Sequence, residues 1–139
     1  MGLEIELYID GGARGNPGPA GIGAVILDKQ GEIIEEISSY IGETTNNVAE
    51  YSALLAGLRK ALLYEPDAIN IYSDSQLLVR QLNGVYKVRH ENLKPLYAEA
   101  AKLLKNLHSY KLYHIPRKDN EMADRLVNKA LDSREKACS

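Results

Sequence analysis

The sequence is short of cysteine, of net charge and of long apolar runs, and each shortage excludes a class of protein. Cys138 is the single cysteine, so an intrachain disulfide is impossible and a thiolate zinc site has no support. A reducing, cytoplasmic setting is therefore expected. No apolar run approaches the ~20 residues needed to cross a bilayer. The opening MGLEIELYID has neither a basic n-region nor an apolar h-region, and Glu6 stands where a myristoylation signal needs Ser or Thr. A soluble protein, not secreted and without a membrane partner, is expected. With 17 Lys and Arg against 19 Asp and Glu, the net charge of −2 gives no global attraction to phosphate backbones. Nucleic-acid binding would have to rely on local basic residues or bound cations.

What is present is ordinary globular material: 139 residues, 45% hydrophobic and 26% charged, enough to bury a core. One domain over residues 1–139 is expected, monomeric, without linker or repeat, and with a fraying tail at 133–139. Apolar residues alternate from Leu3 to Ile9, which predicts a strand ended by Asp10 ahead of Gly11 and Gly12. Ala20 to Leu27 and Glu32 to Ile41 predict two more strands in an antiparallel meander. After Asn46 the period becomes helical, with Leu54, Leu55, Leu58, Ala61 and Leu62 on one face until Pro66. A strand over 69–73, a helix over 74–82, a loop over 84–91, a helix over 92–107, a strand over 110–115 and a helix over 120–132 complete the chain. A meander followed by alternating strands and helices implies an α/β fold, a mixed five-stranded sheet with helices on its faces.

Certain acids stand out against these apolar stripes, because a carboxylate facing a core is costly unless something compensates it. Glu50 shares the column of Leu54, Leu58 and Ala61, Asp124 that of Val127 and Leu131, and Asp74 leads into Leu77 and Leu78. Asp10 and Asp74 both end strands, the edge where open α/β sheets place their ligands. If those strands are neighbours, the four acids can converge on hard divalent cations such as Mg²⁺ or Mn²⁺, paired as phosphodiester chemistry uses them. Each acid also has an ordinary alternative. Asp10 can open a glycine turn, Glu50 can complete a capping box with Asn47, Asp74 can cap a helix, and Asp124 can balance Arg125.

The segments DGGARGNPGPAGIG, TTNNVAEY, SDSQ and HIPRKDNEMAD, in this order, resemble the signature blocks of type 1 ribonuclease H, and the similarity spans about Leu3 to Asp132. That resemblance implies a sheet of order 3-2-1-4-5 and an endonuclease that cuts the RNA strand of RNA/DNA hybrids, leaving 5′-phosphate and 3′-hydroxyl ends. It implies a catalytic, metal-binding quartet of Asp10, Glu50, Asp74 and Asp124 holding two Mg²⁺ ions, with Mn²⁺ able to substitute. Asp10 would bridge the ions, Asp124 would help hold the one that activates water, and Glu50 and Asp74 the one at the leaving 3′ oxygen.

Substrate reading would fall to ribose contacts around Gly11, Gly12, Ala13 and Arg14, with Asn16, Glu50 and Gln76. Asn16, Asn46 and Asn47 would meet the DNA strand or its minor-groove edge, and Thr45 a DNA phosphate. The asparagines also suit turns and caps, and the glycines suit turns.

Two features depart from the family pattern. No basic helical protrusion follows Asp74; Lys87 and Arg89, with His90 and Lys94, are the candidate phosphate-facing substitutes, and a solvated loop is the ordinary reading. The loop before the last acid reads PRKDN where relatives often carry histidine, so Arg117 is the catalytic candidate there, acting on phosphate charge. His114 belongs with the fifth strand. The competing functions are another nuclease of the same superfamily, of resolvase or exonuclease type, and a non-catalytic hybrid-binding module. Retention of all four acids argues against the second, and TTNN against the first.

Overall fold

The computed structural model describes residues 3–138, and of residues 135–138 the backbone alone. Met1, Gly2 and Ser139, the last being the end of the tail expected to fray, lie outside the described residues. The elements are β1 (Glu4–Ala13), β2 (Gly18–Leu27), β3 (Ile33–Thr44), α1 (Asn46–Leu62), β4 (Ala68–Ser73), α2 (Gln76–Leu82), α3 (Lys94–Lys105), β5 (Ser109–His114), a 3-10 turn (Arg117–Asp119) and α4 (Glu121–Cys138). Among the described residues no helix is long and apolar enough to cross a membrane.

The strands form one sheet of order β3-β2-β1-β4-β5. β1, β2 and β3 are the antiparallel meander, while β4 and β5 run parallel to β1. Alternation along β1 sends Ile5, Leu7 and Ile9 into the main core. They pack with Ile69 and Ile71 of β4 and with Leu54 and Leu58 of α1, while α2 adds Leu78, α3 adds Ala100 and Leu104, and Leu93 joins them from just ahead of α3. On the opposite face, Leu126 of α4 packs against Val25 and Leu27. β2 therefore lies between helical layers and reads as an unbroken buried run from Ala20 to Leu27. Beside α4, Tyr8, Tyr72 and Tyr113 stack across β1, β4 and β5 with ring centroids 4.6 and 5.3 Å apart, cross-strand pairs that help hold the parallel strands in register.

Several boundaries differ from those predicted from sequence. β1 does not stop at Asp10: Gly11 and Gly12 continue the ladder opposite Ile22 and Gly21. Neither glycine makes a turn, and Gly11 serves close approach. A Cβ on Gly11 would lie 2.3 Å from the carbonyl carbon and oxygen of Ala49, so its absence lets α1 rest on β1. Gly23 does the same for α4, since a Cβ there would lie 2.3 Å from the Ala123 oxygen. α2 begins at Gln76 and not at Asp74, because Ser75 is its cap. α3 begins at Lys94, with Pro95 in its first turn where a missing N–H is harmless. The turn over Arg117–Asp119 has no apolar periodicity to announce it, and α4 continues past Asp132 to Cys138.

Gly23→Ala should therefore push α4 away from β2 and destabilise the fold by about 1–3 kcal/mol. Urea unfolding checks this, and a midpoint equal to that of the native chain would contradict the seating of α4.

Candidate active site

The pairing of Ile9 with Ser73 puts Asp10 and Asp74 at matching positions along neighbouring parallel strands. Asp10 is 7% exposed, and Asp74 stands immediately past β4, half-buried. Glu50 enters from α1, which Gly11 allows to lie against the strand. Asp124 enters from the first turn of α4, which Gly23 allows to lie against β2. Carboxylate oxygens of Asp10, Glu50 and Asp74 all lie within 4.8 Å of one another. Asp124 stands outside this tightest trio, yet it shares a hydrogen bond with Asp10 and faces Arg117, whose Nη2 is 3.6 Å from its Oδ1.

Like charges 4 Å apart repel by about 4 kcal/mol at an effective dielectric of about 20, and the acids respond by holding protons. Burial, the Asp74 charge and the hydrogen bond with Asp124 push the Asp10 carboxyl up to about 8, against the opposing pull of the Gly11 N–H, which donates to its Oδ1 at 3.0 Å. Burial and then the charges of Asp10 and Asp74 drive Glu50 well above the usual carboxylate range. Asp74 is raised mainly by burial, with Arg117 working in the other direction. Such a cluster is incomplete without positive charge. Glu50 Oε2 is buried and has no hydrogen-bond partner, a hard oxygen donor available to a cation. The donor set therefore fits Mg²⁺ or Mn²⁺, which take carboxylate oxygens and complete their coordination with water and phosphate.

The local structure removes the ordinary explanations of these acids. The cap of α1 is Thr45, whose Oγ1 accepts from Val48 N at 3.3 Å, so Glu50 lies outside any capping box. Ser75, not Asp74, caps α2. Asp10 is within a strand, and the cation beside Asp124 is Arg117, not Arg125.

The acids open into a cleft of about 570 Å³ whose walls include Gly11, Gly12, Ala13, Arg14, Asn46 and Arg117. Asn46 Oδ1 accepts from Ala13 N at 2.8 Å, and Asn16 Oδ1 accepts from Asn46 N at 3.0 Å. The two asparagines thus tie the loop after β1 to the start of α1. Arg14 pairs with Asp132 at 2.7 Å. Thr45, Asn47 and Gln76 stand at helix starts, and Asn47 and Gln76 are exposed. The structure does not bring Lys87 and Arg89 into the cleft: both are exposed, and Lys87 borders a separate groove with Tyr86, Lys94 and Tyr97. His114 is in β5, as expected. Sequence reasoning missed Asn120, 1% exposed, whose Nδ2 donates to Ile9 O at 2.8 Å. Its only signal was an asparagine ahead of a helix, which reads as a surface cap.

Residues 8–130 match the family described as reverse transcriptase-like. LC11-RNase H1, isolated from compost by a metagenomic approach and solved in complex with an RNA/DNA hybrid, is 48% identical, with 97% of this chain and 99% of that one covered and a TM-score of 0.89. The chain belongs to the ribonuclease H family. Ribonuclease HI of Halobacterium salinarum is 41% identical over 131 residues, 94% of this chain and 66% of that protein. The crystal structure of RNase H1 from the same archaeon covers 94% of this chain and 98% of its own, at 41% identity and a TM-score of 0.90. A bifunctional protein of Mycobacterium tuberculosis is 40% identical over 132 residues, which are 94% of this chain and 36% of that protein. The strand order expected from the ribonuclease H resemblance is the order found.

The raised carboxyls make metal-free stability fall with pH. Their folded values exceed their unfolded ones, so the folded state keeps protons that the unfolded chain releases. That stability is whole below about pH 4 and is lost as pH rises through about 8, the value for Asp10. In chelator the melting temperature should decline between these limits. Asp10→Asn should melt about 3–8 °C above the native chain at pH 8, equivalent to roughly 1–2 kcal/mol. A lower midpoint for this variant would rule out crowded charge as the dominant force in the cleft.

Proposed function

We propose that the chain is an endoribonuclease that hydrolyses the RNA strand of RNA/DNA hybrids, leaving 5′-phosphate and 3′-hydroxyl ends. In this reading Asp10, Glu50, Asp74 and Asp124 hold two divalent cations, Mg²⁺ or Mn²⁺ in its place. The observation that carries it is the meeting of three carboxylates within 4.8 Å, one with a buried, unpartnered oxygen, at the mouth of an open cleft. The hybrid in the complex of a 48% identical relative supports the choice of substrate.

Bound cations would neutralise the carboxylates and supply Lewis-acid activation of water and of the scissile phosphate. The chain's own residues supply the positioning. Asp10, buried beside Asp74 and Asp124, would hold the cations together with Glu50, Asp74 and Asp124. Main-chain groups from Gly11 to Arg14 lie along the cleft wall, and together with Asn16, Glu50 and Gln76 they would read ribose 2′-hydroxyls, the groups that distinguish RNA from DNA. Thr45, Asn46 and Asn47 take the DNA strand. Asn16 and Asn46 are already held by hydrogen bonds, so little ordering is left to do on binding. Arg117, with a side chain 81% exposed, extends from the cleft rim. Its permanent charge suits it to offset phosphate charge and not to exchange protons. Lys87 and Arg89 would meet backbone phosphates outside the cleft. The protein would act as a monomer in the cytoplasm.

Digestion of end-labelled RNA/DNA hybrid, double-stranded RNA and double-stranded DNA tests this. With Mg²⁺ or Mn²⁺ only the RNA strand of the hybrid should be cut, chelator should stop the reaction, and Asp10→Asn or Asp74→Asn should lower the rate by about 10³-fold or more. Equal cutting of all three duplexes, or cutting that persists in chelator, would defeat the proposal.

A further inference from the structure

Apart from Glu50 Oε2, one buried side-chain polar atom among the described residues has no hydrogen-bond partner: Oδ1 of Asn120. An amide buried to 1% exposure costs free energy at every unmade bond, so its place calls for an explanation beyond starting a helix. A surface asparagine would serve for that.

Asn120 reaches the segments that carry three of the four acids. Its Nδ2 donates to Ile9 O at 2.8 Å, the carbonyl immediately before Asp10, at the point where the paired stretch of β1 and β4 ends. Its amide also hydrogen-bonds the Asp74 carboxylate, favouring the charged form. Its main-chain oxygen accepts from Asp124 N at 3.1 Å, in the first turn of α4. Near this end of α4 there are also the Ser38 hydroxyl of β3, which donates to Leu126 O at 2.7 Å, the hydrogen bond that Asp124 shares with Asp10, and the pair between Arg117 and Asp124, whose arginine side chain is 81% exposed, a class of contact that contributes little.

The apolar stripe of α4 holds the helix on the sheet, but burial is non-directional and does not fix position along the axis. A directional hydrogen bond does. Meanwhile the acids repel one another and would drift apart if they were free to. We propose that Asn120 is a positioning residue that registers Asp10, Asp74 and Asp124 against one another, so that divalent cations meet a preformed site. An aspartate there would lose the donor and add a negative charge to the cluster, whereas the amide gives a donor without charge. This inference rests on the metal-dependent reading above.

The test compares the native chain with Asn120→Ala, Asn120→Ser and Leu104→Ala, the last a cavity in the remote α3 that lowers stability alone. Calorimetric titration with Mn²⁺ in the absence of nucleic acid is read beside melting temperature and steady-state cleavage of the hybrid. Asn120→Ala should weaken Mn²⁺ binding about 10- to 100-fold. It should lower kcat while KM for the hybrid stays within about twofold. Leu104→Ala should melt at a lower temperature than the native chain and keep its Mn²⁺ affinity. If Asn120→Ala does not fold, Asn120→Ser, which keeps a shorter donor, is read in the same way. A folded Asn120 variant that binds Mn²⁺ like the native chain overturns the positioning role, as does an equal loss in Leu104→Ala. If the native chain itself neither binds Mn²⁺ nor cuts hybrid, the metal-dependent reading fails and takes this inference with it.

Discussion

Mutual repulsion among acids at one edge of the sheet is the constraint that the rest of the molecule accommodates. Asp10, Glu50 and Asp74 could each be solvated separately at small cost; together and half-buried they are stable only with protons or cations. Their raised proton affinities are the sign of that tension. The fold sustains it because the acids sit on rigid elements whose cores are formed elsewhere. The main hydrophobic cluster anchors β1, β4 and α1, and the smaller one anchors α4.

Glycine makes the convergence possible. Helices normally stand off a sheet by the thickness of a side-chain layer, and at that distance carboxylates on α1 and α4 would not reach Asp10. Removing Cβ at Gly11 and at Gly23 lets both helices approach within backbone contact at the needed points. The cleft is thus built by omission on both faces of the sheet, and its acids come from four separate segments. Since stability is given up locally for this arrangement, the ordinary packing of Ile5, Leu7, Ile9, Leu54 and Leu58 has to carry the fold.

Much of this was legible in the sequence. The meander, the later alternation of strands and helices, and the stripes of α1 and α4 followed from hydrophobic period. The acids were visible because they broke those stripes. What failed was local. Gly11 and Gly12 looked like a turn because sequence shows that glycine permits φ > 0 and does not show that a helix will rest on it. Glu50 fitted a capping box with Asn47 because the true cap, Thr45, lies two residues earlier, and Ser75 likewise displaced Asp74 as the start of α2. The buried amide of Asn120 depends on the meeting of β1 with α4, over a hundred residues apart in sequence, and no local pattern records such a contact. Lys87 and Arg89 carried the right charge, but their segment lies outside the cleft walls.

The central claim is that these carboxylates jointly hold divalent cations. Anomalous diffraction from crystals grown with Mn²⁺ and an RNA/DNA hybrid addresses it most directly. The account predicts manganese peaks among Asp10, Glu50, Asp74 and Asp124, in contact with the phosphate of the RNA strand. Manganese bound only elsewhere on the chain, with the four carboxylates unligated beneath the hybrid, would contradict it.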